Sequence, residues 1–529
     1  MSSQHTPRTS GEPPQSPPAP GPREGDGLQA GLKNRHLSMI AIGGVIGAGL
    51  FIGSKAGIAD AGPGILLSYA LAGLLVVLVM RMLGEMAAAQ PTSGSFSTYA
   101  DRALGRWAGF TIGWLYWFFW SVVLAVEATA AAEILEGWAP AVPQWGWALL
   151  VMLVLTGTNL ISVGSYGEFE FWFAGIKVVA IIAFIVIGVI AFAGLPPADH
   201  FAGAENLTGH GGFLPNGPGA ILSGMLLVVF SFMGSEIVTL AAAESPNPVD
   251  AVRKAVNSVI WRIGLFYIGS IFVIVSLLPW DSKAIASEGP YVAVLNSLDI
   301  PYAGTVMDIV VLTAVLSCLN SGLYTASRMA FSLGERKDAP ASFGRTNGRG
   351  VPTTAILASV AFGFIAVFFN YIAKDTVFEF LLNSSGAVAL FVWLVICASQ
   401  LRMRRRIERE TPEKLTVRMW LYPYLTWATI GLIVFVIGYM FTDEDGRVQM
   451  ILSLAVAAVV LVASLVKDRI VRRRGEPLPG VPAPSGEDGT GPDATAAGRV
   501  PKPAGEADPG TRPALGGVRR PAAGAGPAR

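Results

Sequence analysis

Charged side chains are scarce in this chain: Asp, Glu, Lys and Arg make up 14% of its 529 residues, whereas soluble domains average about 25%. Hydrophobic residues reach 52%, and many stand in uncharged runs long enough to cross a bilayer. This combination predicts a polytopic membrane protein. The formal net charge is only +1, so the charge balance gives no reason to expect binding to nucleic acid.

Residues that build metal sites and catalytic triads are equally scarce. The chain has two cysteines without a disulfide pattern, and no Gly-Lys dipeptide, which excludes the phosphate-binding loop and ATP as a direct energy source. All histidines lie outside the apolar segments or at their margins, namely His5, His36, His200 and His210. A histidine-based metal site or a Ser-His-Asp triad within the membrane is therefore not expected. We expect no metal, no cofactor and no enzymatic activity.

The two ends of the chain differ in composition from its middle. Residues 1–31 contain seven prolines and no signal-peptide pattern, and residues 471–529 are rich in Pro, Gly, Ala and Arg. Both compositions are typical of disordered tails. Residues 32–470 are expected to form one all-α transmembrane domain with twelve apolar segments. The segments lie near 38–56, 64–84, 107–134, 145–163, 168–194, 219–241, 256–279, 304–329, 351–371, 376–400, 422–441 and 447–466.

Basic residues between these segments predict the orientation. The connection 401–418 carries seven Lys and Arg residues, whereas the loop 195–218 on the opposite face has none. Because cytoplasmic loops are enriched in Lys and Arg, both termini are predicted to be cytoplasmic. The basic run 402–409 has an alternative role, which is to bind anionic lipid or a partner.

Two of the apolar segments contain interruptions. The first includes the run Gly43–Ile52, whose four glycines each cost about 1 kcal/mol relative to alanine in a helix interior. The sixth contains Phe230–Glu236, with a glycine, two serines and a carboxylate. Spans one and six would be equivalent in a chain of two five-helix repeats, and matched breaks indicate a transporter's midplane site. Close helix packing by small residues is the alternative.

Broken helix ends have a defined chemistry. An exposed helix N-terminus offers unpaired N–H groups and a partial positive charge, which suit a carboxylate. Unwound carbonyl groups suit an ammonium group or a cation. A ligand with both groups is an amino acid, so the two breaks predict an amino acid site.

Several stretches resemble the amino-acid–polyamine–organocation superfamily, and within it the bacterial amino acid permeases. These are LKNRHLSMIAIGGVIGAGLFIGS (32–54), GEFEFWFAGIKVVAIIAF (167–184) and FSFMGSEIVTLAAAESPNP (230–248). Four others look most like the 4-aminobutyrate permeases of that family. These are GRWAGFTIGWLYWFFW (105–120), NSVIWRIGLFY (257–267), SCLNSGLYTASRM (317–329) and the tract 417–427.

The resemblance implies a five-plus-five inverted repeat with broken helices 1 and 6 and two further C-terminal helices. It implies that backbone of the first broken helix binds the substrate carboxylate, at Ile46, Gly47, Ala48 and Gly49. It assigns the amine to carbonyl groups of the sixth helix, at Phe230, Ser231 and Met233, with Phe232 and Ser235 as nearby shaping residues. Members of the 4-aminobutyrate group carry Gly or Ser at the position of Gly49, so that position does not decide the substrate.

Ionisable residues inside membrane spans are functional candidates because they are expensive to insert. Burial favours the neutral form of Lys177 in the fifth segment, which would let it load and release a proton. The resemblance places its ammonium where sodium-driven relatives bind sodium and so implies proton coupling; a static ion pair is the alternative. It also makes Glu127 in the third segment the expected partner of Lys177, with a polar contact between helices as the alternative.

Two more carboxylates lie at positions where a gate or a scaffold is expected. Glu236 follows the second break, where it either holds the unwound backbone or contacts the substrate amine. Glu85 lies at the cytoplasmic end of the second segment, as part of an inner gate or as an ordinary interfacial carboxylate.

Together these features predict an importer of 4-aminobutyrate in the bacterial cytoplasmic membrane, coupled to protons and working by alternating access. Alternative substrates are alanine, glycine, proline and aromatic amino acids. A nutrient sensor sharing the permease fold is a further alternative, although the tails have no composition typical of a folded signalling domain.

Overall fold

The computed structural model describes residue 39 and then residues 45–92, 94–161, 163–195, 204–237, 239, 247–372, 374–442 and 444–473. Every regular element in these ranges is helical, and they contain no strand. The predicted tails 1–31 and 471–529 lie outside the described residues, except for 471–473. Gly43 and Gly44 of the first interruption also lie outside them.

The first group of helices precedes the second interruption. In chain order they are α1 Ala48–Phe51, α2 Ser54–Ala61, a 3-10 turn Gly62–Gly64, α3 Ile65–Ala89, α4 Ser95–Leu104, α5 Arg106–Trp138, α6 Gln144–Ile161, α7 Val163–Phe192, α8 Glu205–Thr208 and α9 Gly219–Phe232.

The second half begins after Asn247. In chain order it comprises α10 Pro248–Trp261, a π-helical stretch Arg262–Gly269, α11 Ser270–Leu277, α12 Lys283–Glu288, α13 Pro290–Ser297, α14 Ala303–Glu335, α15 Thr353–Ile372, α16 Lys374–Glu410, a 3-10 turn Pro412–Lys414, α17 Tyr424–Met440 and α18 Glu444–Arg473.

Eight helical stretches among the described residues are long and apolar enough to cross a membrane, and three shorter apolar helices accompany them. One of the eight, Ala48–Ala89, covers the second predicted segment and residues 48–56 of the first. The prediction of an all-helical, multi-pass membrane protein is therefore confirmed at this level.

The backbone leaves helical geometry at both predicted interruptions. Gly47, with φ −142° and ψ −149°, precedes the four-residue helix α1. At the second interruption α9 ends at Phe232, Met233 is extended with ψ 136°, and Gly234 has a φ of +104°. A Cβ at Gly234 would lie 3.0 Å from the ring of Trp120. Glycine is required there both by the left-handed backbone and by the close approach of Trp120.

Helix α5 lies at the centre of the molecule, where it packs against α14, α16, α6 and α15. Three of its aromatic side chains, Tyr116, Phe119 and Trp120, are buried, and Tyr116 and Phe119 each pack near Trp120. Phe119 also lies 6.2 Å from the ring of Phe230 in α9. The central helix therefore contacts the second interruption directly.

Candidate functional site

The first interruption has both a carbonyl and an N–H turned toward charged side chains. The carbonyl of Ile46 accepts a hydrogen bond from Lys177 Nζ at 3.1 Å. The N–H of Ala48 donates to Glu127, at 3.2 Å to Oε1 and 3.1 Å to Oε2. Because Ala48 begins a helix, this N–H has no partner within the helix and suits an anion. In the structure it already binds a carboxylate.

Gly47 lies where the first interruption touches two other helices. A Cβ added at Gly47 would lie 2.6 Å from both Cys318 Cβ and Glu127 Oε1. Real Cβ atoms do not approach so closely, since packed interiors leave little room for an extra methyl group. The glycine therefore permits contact between α1, α5 and α14.

The second interruption is held by side chains from three elements. The N–H of Gly234 donates to Glu236 Oε2 at 2.8 Å, and the indole N–H of Trp393 donates to Glu236 Oε1 at 2.5 Å. The hydroxyl of Tyr267, in the π-helical stretch, donates to the carbonyl of Ser231 at 3.0 Å. Glu236 thus binds groups of the protein itself, which is the geometry of a scaffold residue.

The two interruptions meet. A Cβ added at Gly49 would lie 3.0 Å from both Cα and Oγ of Ser231, and 3.2 Å from Phe230 Cδ1. A cavity of about 10 Å³ lies at this contact, which is close to the room that one water molecule needs. Its described lining residues are Val45, Gly49, Phe119, Trp120, Val123, Glu127, Phe230, Ser231, Met233 and Cys318. The cavity is too small for a ligand larger than one water molecule.

Not every predicted site residue lines this cavity. Ile46, Gly47 and Ala48 are not among its lining residues, although Ala48 donates to Glu127, which does line it. Phe232 packs its ring 4.7 Å from Tyr267, and Ser235 Oγ accepts a hydrogen bond from Arg262 Nη2 at 2.5 Å. Phe232 and Ser235 therefore support the second interruption from the side of the π-helical stretch, rather than facing the cavity.

Lys177 lies in a buried cluster with Glu170 and Ser317. Both charged side chains are 0% exposed, with 3.9 Å between Lys177 Nζ and Glu170 Oε1. Lys177 donates to Ser317 Oγ at 2.7 Å, and that hydroxyl lies 2.8 Å from Glu170 Oε1. The ion-pair partner found for Lys177 is thus Glu170, whereas Glu127 binds the N–H of Ala48.

Glu85 lies in a separate buried cluster, away from the cavity. Its Oε2 accepts hydrogen bonds from Arg404 Nη1 at 2.5 Å and from the N–H of Met419 at 2.6 Å. Its Oε1 accepts one from Gln400 Nε2 at 2.8 Å. Glu85 therefore links α3 to α16 and to the segment that precedes α17.

Sequence reasoning missed Glu170, Tyr267 and the aromatic wall of α5. Glu170 precedes Lys177 by seven residues, which places both on one face of α7, and that spacing was an available signal. Tyr267 carried no signal, because a π-helical turn has no composition of its own. Phe119 and Trp120 belong to a helix that is apolar on all sides, so periodicity does not identify the face that lines the cavity.

The comparisons with known proteins agree on one family. The family model for amino acid permeases matches residues 36–474. The gamma-aminobutyric acid permease of Bacillus subtilis (strain 168) is 53% identical over 440 residues, covering 83% of this chain and 94% of the relative. The gamma-aminobutyric acid permease of Escherichia coli (strain K12) is 54% identical over 424 residues, covering 80% and 91%. The aromatic amino acid transport protein AroP of Corynebacterium glutamicum is 44% identical, covering 81% and 92%.

A solved structure shares the fold at low identity. A crystal structure of a mutant of the Eremococcus coleocola manganese transporter matches with a TM-score of 0.53 and 12% identity, covering 83% of this chain and 94% of that chain. At this identity the likeness concerns the fold alone. The family model covers most of the sequence, and the relatives match over nearly their whole length. The chain therefore belongs to the amino acid permease family.

Proposed function

We propose that this protein imports 4-aminobutyrate, or a related amino acid, together with protons. The observation that carries this proposal is the hydrogen bond from the N–H of Ala48 to the carboxylate of Glu127. This bond lies close to the point where the two interrupted helices meet. A backbone donor that binds one carboxylate in a buried setting suits another. A substrate carboxylate would take that place, within Ile46–Gly49. The substrate amine would bind carbonyl groups of Phe230, Ser231 and Met233.

The identity of the substrate is argued from the named relatives. Relatives at 53% and 54% identity are named gamma-aminobutyric acid permeases, which favours 4-aminobutyrate. An aromatic amino acid transporter at 44% identity keeps aromatic substrates as alternatives, with alanine, glycine and proline. Uptake of labelled 4-aminobutyrate in competition with an unlabelled amino acid panel separates these substrates.

The proposed architecture has twelve transmembrane helices over residues 32–470, built as a five-plus-five inverted repeat followed by two helices. The charge bias of the connections supports a cytoplasmic position for both termini. Its setting would be the bacterial cytoplasmic membrane. Reporter fusions within the connections 195–218 and 401–418 test the orientation. The first connection is expected outside the cell and the second inside.

Transport would proceed by alternating access. The cavity at Gly49 and Ser231 has room for about one water molecule, which supports a closed state between outward-open and inward-open forms. The substrate would enter from outside, bind between the two interrupted helices and leave inward. Glu236 would hold the second interruption during this cycle, and Glu85 would tie the cytoplasmic ends of α3 and α16.

Lys177 is proposed as the proton carrier, with Glu127 as the group that links it to the substrate site. The hydrogen bond from Lys177 to Ile46 supports this role, because a change in the lysine's charge would alter the first interruption. The alternative is a static ion pair, and Glu170 gives that alternative a specific partner. Proton coupling requires that substitution of Lys177 abolish uphill uptake, whereas a static pair requires only that it lower stability.

Uptake into proteoliposomes tests the proposal. The purified full chain should accumulate labelled 4-aminobutyrate when an inward proton gradient is imposed, and collapse of the gradient should stop accumulation. Exchange that is independent of the gradient, or a requirement for sodium, would contradict proton coupling. Binding without uptake would instead favour a sensor.

A further inference from the structure

A second pocket lies between α4 and α16, far larger than the central cavity. Its volume is about 130 Å³. Three arginines, Arg102, Arg402 and Arg406, line it together with Gln90, and the side chains of Met403 and Ile407 add apolar surface. Among the described residues, its lining contains three cationic side chains and no acidic one.

The positive charge in this pocket is only partly balanced. Arg102 Nη1 donates to Gln90 Oε1 at 2.7 Å, and Arg402 Nη1 donates to the carbonyl of Ala103 at 3.2 Å. Both of these acceptors are neutral. Arg406 meets a carboxylate, Glu410, at 2.9 Å, but that pair is 64% and 58% exposed and is weak in water.

Like charges also face each other across this pocket. Burial lowers the pKa of Arg102; Tyr99 and Asp101 raise this pKa, and the positive charge of Arg406 lowers it. An anion between the two helices would remove this repulsion. A guanidinium group presents five N–H donors in a planar fork, so each arginine keeps donors for a further ligand.

Phosphate is an anion that this donor set fits. Arginine forks bind phosphate oxygens in pairs of parallel hydrogen bonds. The pocket is small beside the roughly 300–1,000 Å³ of sites for drug-sized ligands, and its apolar side chains suit the start of a lipid tail. In the orientation proposed above, the pocket faces the cytoplasmic leaflet, where anionic headgroups meet basic pockets between helices.

We propose that the pocket formed by Arg102, Arg402 and Arg406 binds a phosphate group, carried by an anionic phospholipid headgroup or by free inorganic phosphate. Bound there, the phosphate bridges α4 to α16. This binding goes beyond the transport function and does not involve the central cavity.

Binding to the purified full chain tests this site in three arms. Native mass spectrometry counts bound phosphatidylglycerol and, separately, bound phosphatidylcholine, and thermal unfolding in increasing inorganic phosphate reports the free anion. The variants are R102Q, R402Q and R402K, which keeps the charge but loses the fork. R405Q is the matched control, because Arg405 is exposed, belongs to the same basic run and does not line the pocket.

We expect R402Q and R102Q each to lower affinity by about tenfold, as for loss of a hydrogen bond between charged groups, with R402K in between and R405Q unchanged. A loss confined to phosphatidylglycerol identifies the lipid, and a loss of stabilisation by inorganic phosphate identifies the free anion. Equal binding by wild type, R102Q, R402Q and R405Q in every arm would overturn the proposal. Retained 4-aminobutyrate uptake shows that each variant is folded.

Discussion

The backbone N–H of Ala48 donates to the side-chain carboxylate of Glu127 at 3.1 Å, across the contact between α1 and α5. The same N–H belongs to the backbone proposed for the substrate carboxylate. Two carboxylates at one donor repel each other unless one of them carries a proton. Binding of substrate therefore requires Glu127 to turn away or to be protonated.

This relationship predicts how substrate affinity depends on pH. Because an ionised Glu127 repels the substrate carboxylate, the affinity of wild type should fall as rising pH removes the proton from Glu127. E127Q is neutral throughout, so its affinity should depend less steeply on pH than that of wild type, and the dependence that is left is assigned to Lys177. Equilibrium binding of labelled 4-aminobutyrate measures both. E133Q is the control, because Glu133 is an exposed carboxylate on the same helix; a flat profile for wild type would contradict the competition.

Glycine substitutions test the first interruption. Gly47→Ala should abolish uptake, because its Cβ would lie 2.6 Å from Cys318 Cβ and Glu127 Oε1. Gly49→Ala should reduce uptake less, since its nearest contacts, at Ser231, lie at 3.0 Å. Gly175→Ala is the control, because a Cβ added at this helical position would meet no atom of another part of the structure within 4 Å, and it should leave uptake unchanged. Equal uptake by the Gly47 and Gly175 variants would refute the packing argument.

Glu236 is expected to stabilise the second interruption rather than to bind substrate. In E236A the N–H groups of Gly234 and Trp393 lose their acceptor, and each unpaired buried donor costs about 1–3 kcal/mol. E236Q keeps an acceptor oxygen and should unfold nearer to wild type. Thermal unfolding in detergent measures the difference. If E236A unfolds like wild type while its KM for 4-aminobutyrate rises, Glu236 contacts the substrate instead.

The Glu85–Arg404 pair should be strongly coupled. Removing one partner of a buried ion pair typically costs about 3–5 kcal/mol, and Glu85 also holds the N–H of Met419. A double-mutant cycle on unfolding in mixed micelles should give a coupling energy above about 1 kcal/mol, whereas the exposed pair Arg406–Glu410 should give less than that. Similar coupling energies for the two pairs would show that Glu85 contributes little to holding α3 against α16.

The sequence predicted both interruptions because their residues are costly in a membrane helix without a compensating role. Gly47 and Gly49 weaken the first helix, and the Ser-Phe-Met-Gly-Ser run weakens the sixth. Their equivalent positions in a chain of two five-helix repeats then paired them. The contact between Gly49 and Ser231 depends on tertiary packing, which local sequence patterns do not predict.

The sequence predicted Lys177 as a functional residue but did not predict its contacts. Its position in an apolar segment marked it as a functional candidate. Its neighbours come from separate parts of the chain: Ile46 from the first interruption and Ser317 from α14. Resemblance suggested Glu127 as its partner, which stays a prediction, and the structure shows an ion pair with Glu170. Only the packing of α7 against α14 brings Ser317 between the two charges.

Uphill uptake by Lys177→Ala tests the central claim most directly. The full chain, Lys177→Ala and the control Lys254→Ala, which removes an exposed lysine of α10, are reconstituted and given labelled 4-aminobutyrate under an inward proton gradient. Proton coupling through Lys177 predicts accumulation by wild type and by Lys254→Ala, and none by Lys177→Ala, while exchange of preloaded substrate by Lys177→Ala shows that the variant is folded. Full uphill accumulation by Lys177→Ala would contradict the account.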